Sequence, residues 1–392
     1  MHCGDVMEKE VKNIIHYVKE YGNLSFDEFP FNEIDSLILC QLSYLDYEDF
    51  VKGPLKGSKP VRLADVFSGI KYEEIFKYYW YEEECHELIE RMVRSERFHD
   101  LKLNYYQAVS RKSDNLQFAA VTYILPDNSI YIAYRGTDAS LIGWREDFKM
   151  AYSEPVKAQL MALEYMTKVS EYIDGVFRVG GHSKGGNIAV YASMMCSDEL
   201  RKRIIDVYSN DGPGFRPEVI KSSNYSKLKD RMHKFIPSES IVGILMNENE
   251  DVLYTKSSAK GTHQHNMFTW ICDKDHIAEA LEVKESRLRT NKALNQWMLS
   301  LSTKEWDLFI DTIFDKIAQD TNTLFEVKED PLGSIHAMLG YYKELDEESK
   351  DNISKLMNRF IDILEELTVN DLVSKLPDND FTQKFLDKIR QN

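Results

Sequence analysis

Positive charge is what this sequence most lacks: 49 lysines and arginines stand against 65 aspartates and glutamates, a formal net charge of -16 over 392 residues. Neutralising phosphates requires a basic surface, so no nucleic-acid partner is expected, and a bare anionic membrane is disfavoured for the same reason. Cysteine is also sparse. The five, Cys3, Cys40, Cys85, Cys196 and Cys272, are odd in number, scattered and never spaced C-x-x-C. Neither a disulfide framework nor a zinc site is indicated, and no metal is expected. No apolar run reaches membrane-spanning length, and the opening stretch MHCGDVMEKEVKN carries acids and lysines where a secretory signal would be apolar. A cytoplasmic location and no integral membrane segment are the expectations. Internal repeats and low-complexity tracts are missing too. What remains is a chain with 43% hydrophobic residues, ample for a large core.

The hydrophobic pattern changes twice along the chain. Residues 10 to 100 read mainly as helices: Val11, Ile14, Ile15 and Val18 share one helical face, and Ile34, Leu37, Ile38 and Leu42 another. The aromatic group Tyr78, Tyr79, Trp80 and Tyr81 suits a core or the mouth of a pocket. Val51 to Pro60 reads as a surface loop. From about Tyr105 strands take over, with a hairpin of Gln117–Leu125 and Ser129–Tyr134 around a Pro126-Asp127-Asn128 turn. A helix over Pro155–Ile173 follows, and later strands are expected at Ile204–Ser209, Met232–Ile236 and Val252–Thr255. Strands alternating with helices point to an α/β fold, a mixed sheet flanked by helices. After about Asp275 the pattern becomes one of charged amphipathic helices, such as Trp306–Ile317 and Ile353–Leu367. The expected organisation is a domain over residues 1–275, with an N-terminal helical layer to about 102, and a helical appendage over 276–392. The charged faces of that appendage suit solvent, with a protein partner as the alternative.

The chemistry centres on Val176–Cys196, VFRVGGHSKGGNIAVYASMMC. Its core, Gly181-His182-Ser183-Lys184-Gly185, is a G-x-S-x-G between an apolar strand run and residues recurring at helical spacing. Strand, sharp turn and helix are the context of a nucleophile elbow, and the glycines leave room where the two backbones approach. The bland alternative is a glycine-rich turn with an idle serine. A serine nucleophile needs a base, a group to orient that base, and donors for an oxyanion. In the chain order serine, acid, histidine, the base lies downstream of Ser183, where His233, His263, His265, His276 and His336 are available. His233 falls in a strand and His276 and His336 in the helical tail, which leaves His263 and His265 in the loop after the last strand. For the acid, Asp211 in Asn210-Asp211-Gly212-Pro213-Gly214-Phe215 ends a strand at the edge where sites form, and Glu239 after the next strand is the alternative. An aspartate that merely satisfies turn amides is the ordinary reading of Asp211. Oxyanion donors are expected from the amide of Lys184 and from Thr137 in Tyr134-Arg135-Gly136-Thr137-Asp138.

The pattern Tyr-Arg-Gly-Thr, then a tryptophan in Gly143-Trp144-Arg145-Glu146-Asp147, then Gly-His-Ser-x-Gly-Gly resembles the class 3 lipases of fungal type. The sequence is closer still to a bacterial family of lipase-like proteins, long catalogued as a domain of unknown function. That family carries GHSKGGN, NDGPGF and SIVG followed by a QH pair, present here at Gly181–Asn187, Asn210–Phe215, Ser240–Gly243 and Gln264-His265. The resemblance covers roughly residues 30 to 275. It implies an α/β-hydrolase fold of class 3 lipase type, a serine triad and ester hydrolysis, and it selects His265 over His263. Two positions depart from the lipases: Ser240 stands where they have an acid, which leaves Asp211 to serve from the preceding strand, and Lys184 stands where they usually have leucine. The expected protein is a serine esterase or lipase-like acyl hydrolase acting on a small-molecule ester or lipid-like substrate through Ser183, His265 and Asp211, without a cofactor. A catalytically silent scaffold that binds a protein partner through its helical tail is the alternative. Lys184, at the positive end of the elbow helix, needs an anionic partner. Asp138, Glu146 and Asp147 are the candidates, with an anionic substrate group as the other option.

Overall fold

The computed structural model describes residues 11–68, 75, 76, 81–111, 113, 116–137, 146, 150, 155–240, 242–246, 251–310 and 345–374. Tyr78, Tyr79, Trp80, Asp138, Trp144, Asp147, His336 and the far part of the expected helix Trp306–Ile317 lie outside these residues. Two capped helices come first. In α1 (Ile14–Tyr21) the Asn13 side chain accepts the amides of Ile15 and His16, and in α2 (Glu33–Leu42) Asn32 and Asp35 form a capping box. Every residue of α2 from Ile34 to Leu42 is buried. Val11, expected on the face of α1, lies before that helix and is exposed. A third helix, α3 (Glu82–Arg94), completes the N-terminal layer.

Among the described residues eight strands form one sheet in chain order: β1 (Val61–Arg62), β2 (Lys102–Arg111), β3 (Leu116–Ile124), β4 (Ile130–Tyr134), β5 (Phe177–His182), β6 (Ile204–Asn210), β7 (Met232–Pro237) and β8 (Leu253–Thr255). The pairs from β1 to β4 are antiparallel, and those from β4 to β8 are parallel. Strand alternation assigns each face its own core. Val121, Tyr123, Tyr131 and Ala133 pack against the N-terminal helices. Phe118, Ala120, Ile130, Ile132 and Tyr134 pack against α4 (Lys157–Tyr172) and α5 (Lys184–Met195). This mixed sheet covered by helices on both faces is the α/β-hydrolase architecture that the sequence predicts. The expected strands and the helix before the elbow are present to within two residues at most of their ends. Strand β2 carries a register shift between Asn104 and Gln107, which breaks the alternation by which a strand is recognised.

The N-terminal layer is tied down by a buried ion pair. Arg97 grips Asp35 with two hydrogen bonds, Nε to Oδ1 at 2.8 Å and Nη2 to Oδ2 at 2.5 Å, both side chains being inaccessible to solvent. The same guanidinium donates to the Phe29 carbonyl at 2.6 Å and lies 4.0 Å from the Phe26 ring centroid, so its donors are used inside the core.

Beyond β8 the chain turns through β9 (Cys272–Asp273) and β10 (His276–Ile277), an antiparallel pair. His276, expected in the helical tail, is therefore on a strand. The tail itself begins with α6 (Glu285–Ser300) and includes helical residues 303–310 and α7 (Glu347–Ser374). Trp297, Met298, Trp306, Ile310 and Leu356 make its core, which also takes in Met246 from the loop after β7. Among the described residues no helix is long and apolar enough to cross a membrane.

Candidate active site

The elbow is built by close packing. Ser183 sits between β5 and α5 with φ 58° and ψ -132°, a strained conformation for a residue with a Cβ. Its amide donates to the Asn210 carbonyl at 2.9 Å, which anchors the turn to the end of β6. The flanking glycines have no room for side chains: a Cβ at Gly181 would lie 2.2 Å from the Gly185 carbonyl carbon, and one at Gly185 would lie 2.2 Å from the Tyr134 carbonyl oxygen. Strand β4 therefore touches the elbow directly. Just beyond it, a Cβ at Gly136 would fall 2.5 Å from the His182 carbonyl oxygen and 3.1 Å from the Ser183 Cβ, so the turn that leads into Thr137 lies against the serine.

Lys184 points inward. Its ammonium donates to the Gln117 carbonyl at 2.9 Å and to Glu146 Oε2 at 3.2 Å, and 1% of its side chain is accessible. Glu146 in turn accepts the amides of Gln117 and Ala158, both at 3.1 Å. The cation at the start of α5 thus has an anion as partner, and it ties the elbow to β3 and to the start of α4. The expected pairing with a carboxylate of the 138–147 stretch is present, through Glu146. Asn187, one turn along α5, accepts from Gln159 Nε2 at 2.9 Å and donates to the carbonyls of Pro213 and Gly214 at 3.2 and 2.9 Å. This clamps the loop after β6.

That loop carries Asp211, which is fully buried with φ 51°. Aspartate tolerates the left-handed region better than most side chains. Its carboxylate accepts three hydrogen bonds: Oδ1 from the Gly243 amide at 3.0 Å, and Oδ2 from the Ser240 hydroxyl at 2.6 Å and from His265 Nδ1 at 2.5 Å. Ser240, the residue standing where class 3 lipases have an acid, is hydrogen-bonded to the carboxylate from the preceding strand. His265 closes a short 3-10 turn, Gly261–His265, and keeps a quarter of its side chain exposed. Because Oδ2 accepts from Nδ1, the ring hydrogen resides there and Nε2 is left with the lone pair.

His182, the residue before the serine, reaches the same loop. Its Nε2 lies 2.8 Å from the His265 carbonyl oxygen and its Nδ1 lies 2.8 Å from the Tyr44 hydroxyl, with the two imidazole rings 4.3 Å apart. A carbonyl can only accept, so His182 carries its hydrogen on Nε2 and takes the Tyr44 hydrogen on Nδ1. Burial, and secondarily the neighbouring His265, holds the His182 pKa well below the ordinary histidine value, so the ring is neutral.

The structure brings Asp211 and His265 into contact and packs Gly136 against Ser183. The Ser183 hydroxyl makes no hydrogen bond to another described residue, His265 included. Glu239 is elsewhere engaged: its Oε2 accepts the Gly261 amide at 2.7 Å and its amide donates to Gln264 Oε1 at 2.9 Å. His263 is exposed. Tyr44, His182 and Ser240 carry no local sequence signal as hydrogen-bonding partners. For Asn187 a signal existed, since it is a polar residue inside an otherwise small and apolar helix run. Among the described residues no group of three or more His, Cys, Asp and Glu side chains could hold a metal ion.

A family model, Mbeg1-like, matches residues 92–315, which is more than half of the chain and includes every candidate site residue. The chain belongs to the Mbeg1-like family. No curated protein matches it. Among solved structures it is similar to M37 lipase, at 14% identity over 55% of this chain and 70% of that one, with a TM-score of 0.35. It is also similar to a mutant form of MDLA from Penicillium cyclopium, at 11% identity over 64% of this chain and 85% of that one, again with a TM-score of 0.35. At these scores neither likeness says anything about activity.

Proposed function

We propose that this Mbeg1-like protein is a serine hydrolase of carboxylic esters or lipid-like acyl substrates, with Ser183 as nucleophile, His265 as general base and Asp211 as the group that orients it. The observation that carries the reading is the 2.5 Å contact between Asp211 and His265 Nδ1, made by a buried carboxylate that is held by two further donors. In the reaction the Ser183 hydroxyl turns toward His265 Nε2, which takes its proton as Oγ attacks the ester carbonyl carbon. Catalytic hydrogen bonds of this kind often tighten only when substrate is bound. The amides of Thr137 and Lys184 receive the oxyanion. His265 then returns the proton to the departing alcohol, and water repeats the sequence on the acyl-serine. Neither a metal nor an organic cofactor has a part in these steps. The alternative is a catalytically silent scaffold that binds a protein partner through its helical tail.

A fluorophosphonate probe separates the two readings, because it reacts only with an activated serine. Labelling at Ser183 that is lost in Ser183→Ala and strongly reduced in His265→Ala is the expected result. A folded protein that stays unlabelled would favour the silent scaffold. Esters of increasing acyl length would then define the substrate class.

A further inference from the structure

We infer that the first helix of the C-terminal tail is part of the hydrolytic apparatus, with Arg287 as a positioning residue for the acid and base; the inference rests on the serine-hydrolase reading above. The link runs through a segment, residues 239, 240 and 242–246, that is held on two sides. On its inner side Ser240 and Gly243 donate to the two oxygens of Asp211, and the Leu245 carbonyl accepts the Gly214 amide at 2.7 Å. Glu239 extends the contact to the base, since its amide and carboxylate bond to Gln264 and Gly261 in the turn that ends at His265. On its outer side the segment is gripped by α6. Arg287 Nη2 donates to the carbonyls of Glu239 and Ser240, at 2.5 and 2.8 Å. Two turns later Asn295 accepts the Met246 amide at 2.8 Å and donates to the Ile244 carbonyl at 2.9 Å, as a neighbouring strand would.

The geometry has a directional consequence. Residues 239 and 240 are loop backbone, and Arg287 holds both of their carbonyls. If that grip is released, the Ser240 hydroxyl and the Glu239 backbone can move, and with them the bonds that orient Asp211 and the 261–265 turn. A misplacement of about 1 Å at a catalytic group can cost on the order of a hundredfold in rate without touching substrate. The tail also holds an ion pair, Arg359 with Glu305 at 2.6 Å, that braces two of its helices against each other. No hydrogen bond or ion pair of it reaches the segment, so it serves as an internal control.

The experiment compares the rate constant for fluorophosphonate labelling, and kcat and KM on an ester that the wild type hydrolyses, across pH for the full chain. The variants are Arg287→Met, Arg287→Lys, Ser240→Ala, the double variant Arg287→Met with Ser240→Ala, and Arg359→Met. We expect Arg287→Met to lower kcat and the labelling rate about ten- to a hundredfold with KM unchanged. The pH midpoint should move in the same direction as in Ser240→Ala. Lysine, which can also donate to two carbonyls, should restore most of the rate, and Arg359→Met should leave it unchanged. Because arginine acts through Ser240, the double variant should lose less than the product of the single losses. A rate and midpoint in Arg287→Met equal to wild type, or fully multiplicative losses, would overturn the inference. If Arg287→Met does not fold, Arg287→Gln takes its place under the same criteria. A wild type that is never labelled removes the serine-hydrolase reading and the positioning role with it, whereas labelled wild type with an indifferent Arg287 removes only the latter.

Discussion

The half of the candidate site around Ser183 and the half around Asp211 and His265 are held by different forces. Around Ser183 backbone packs on backbone at Gly181, Gly185 and Gly136, and a buried ion pair fixes the first turn of α5. Around Asp211 and His265 nearly every constraint is a hydrogen bond between loops, from Ser240, Gly243, Glu239 and Gln264. Steric constraint is unforgiving and local, so the first half tolerates few residue types at adjacent positions. Hydrogen bonds between loops can be supplied by many side chains from distant places. The half around Asp211 and His265 can therefore be built in more ways, and α6 takes part in it through the bonds of Arg287 to the Glu239 and Ser240 carbonyls.

The largest separation between the halves is expected from Asp211→Asn. Asparagine fits the space, but it can turn its amide NH2 toward His265 and hold the wrong tautomer. Activity should fall by up to about four orders of magnitude, the loss measured when a triad aspartate is so replaced. The elbow does not depend on Asp211, so the backbone of Ser183 should be unchanged in a crystal structure of the variant. A variant that retains a tenth or more of wild-type kcat would remove Asp211 from the orienting role.

Lys184→Met strikes the steric half instead. It leaves Glu146 buried without its cation, and breaking a buried pair from one side costs about 3 to 5 kcal/mol. Thermal melting should fall accordingly, and Lys184→Met with Glu146→Gln should recover much of the loss, because the stranded charge is gone. Neutral and anionic esters should lose activity equally, since the ammonium points away from solvent. A raised KM confined to anionic esters would show that Lys184 meets substrate.

The same contrast explains how much was legible in the sequence. The elbow could be read because its constraints fall on consecutive residues, and Gly181, Ser183 and Gly185 leave a pattern. The sheet could be read wherever strands alternate; β2 escaped because its bulge between Asn104 and Gln107 interrupts the period. Between Asp211 and Glu239 local sequence offers no choice, since both are acids after strands in turn-rich stretches. What distinguishes them is tertiary: the Glu239 carboxylate faces the Gly261 amide, whereas Asp211 faces the imidazole. The difference between His263 and His265 is likewise tertiary: the short 3-10 turn leaves His263 exposed and sets His265 against the carboxylate. Arg287 left no signal at all. It bonds to backbone carbonyls 47 and 48 residues earlier, and a carbonyl is the same in every residue.

The smallest effect concerns His182, which belongs to both halves: it stands on the elbow strand and donates to the His265 carbonyl. Its pKa in the folded protein is held well below 6.5, chiefly by burial. Once unfolded, the ring titrates near 6.5. Between those two values the unfolded chain binds a proton that the folded chain refuses, so this residue makes stability fall as pH drops below about 6.5, by about 1.4 kcal/mol per pH unit at most. Above that pH both states are neutral and the contribution is complete. His182→Gln tests the point, because glutamine can still accept from Tyr44 and donate to the His265 carbonyl but does not titrate. Measured by denaturant unfolding, the variant should show a shallower loss of stability between pH 6.5 and 5 than wild type, and the difference between them should be constant above pH 7. Parallel curves across the whole range would mean that the folded protein protonates His182 freely, and that the ring which joins the two halves is not held neutral.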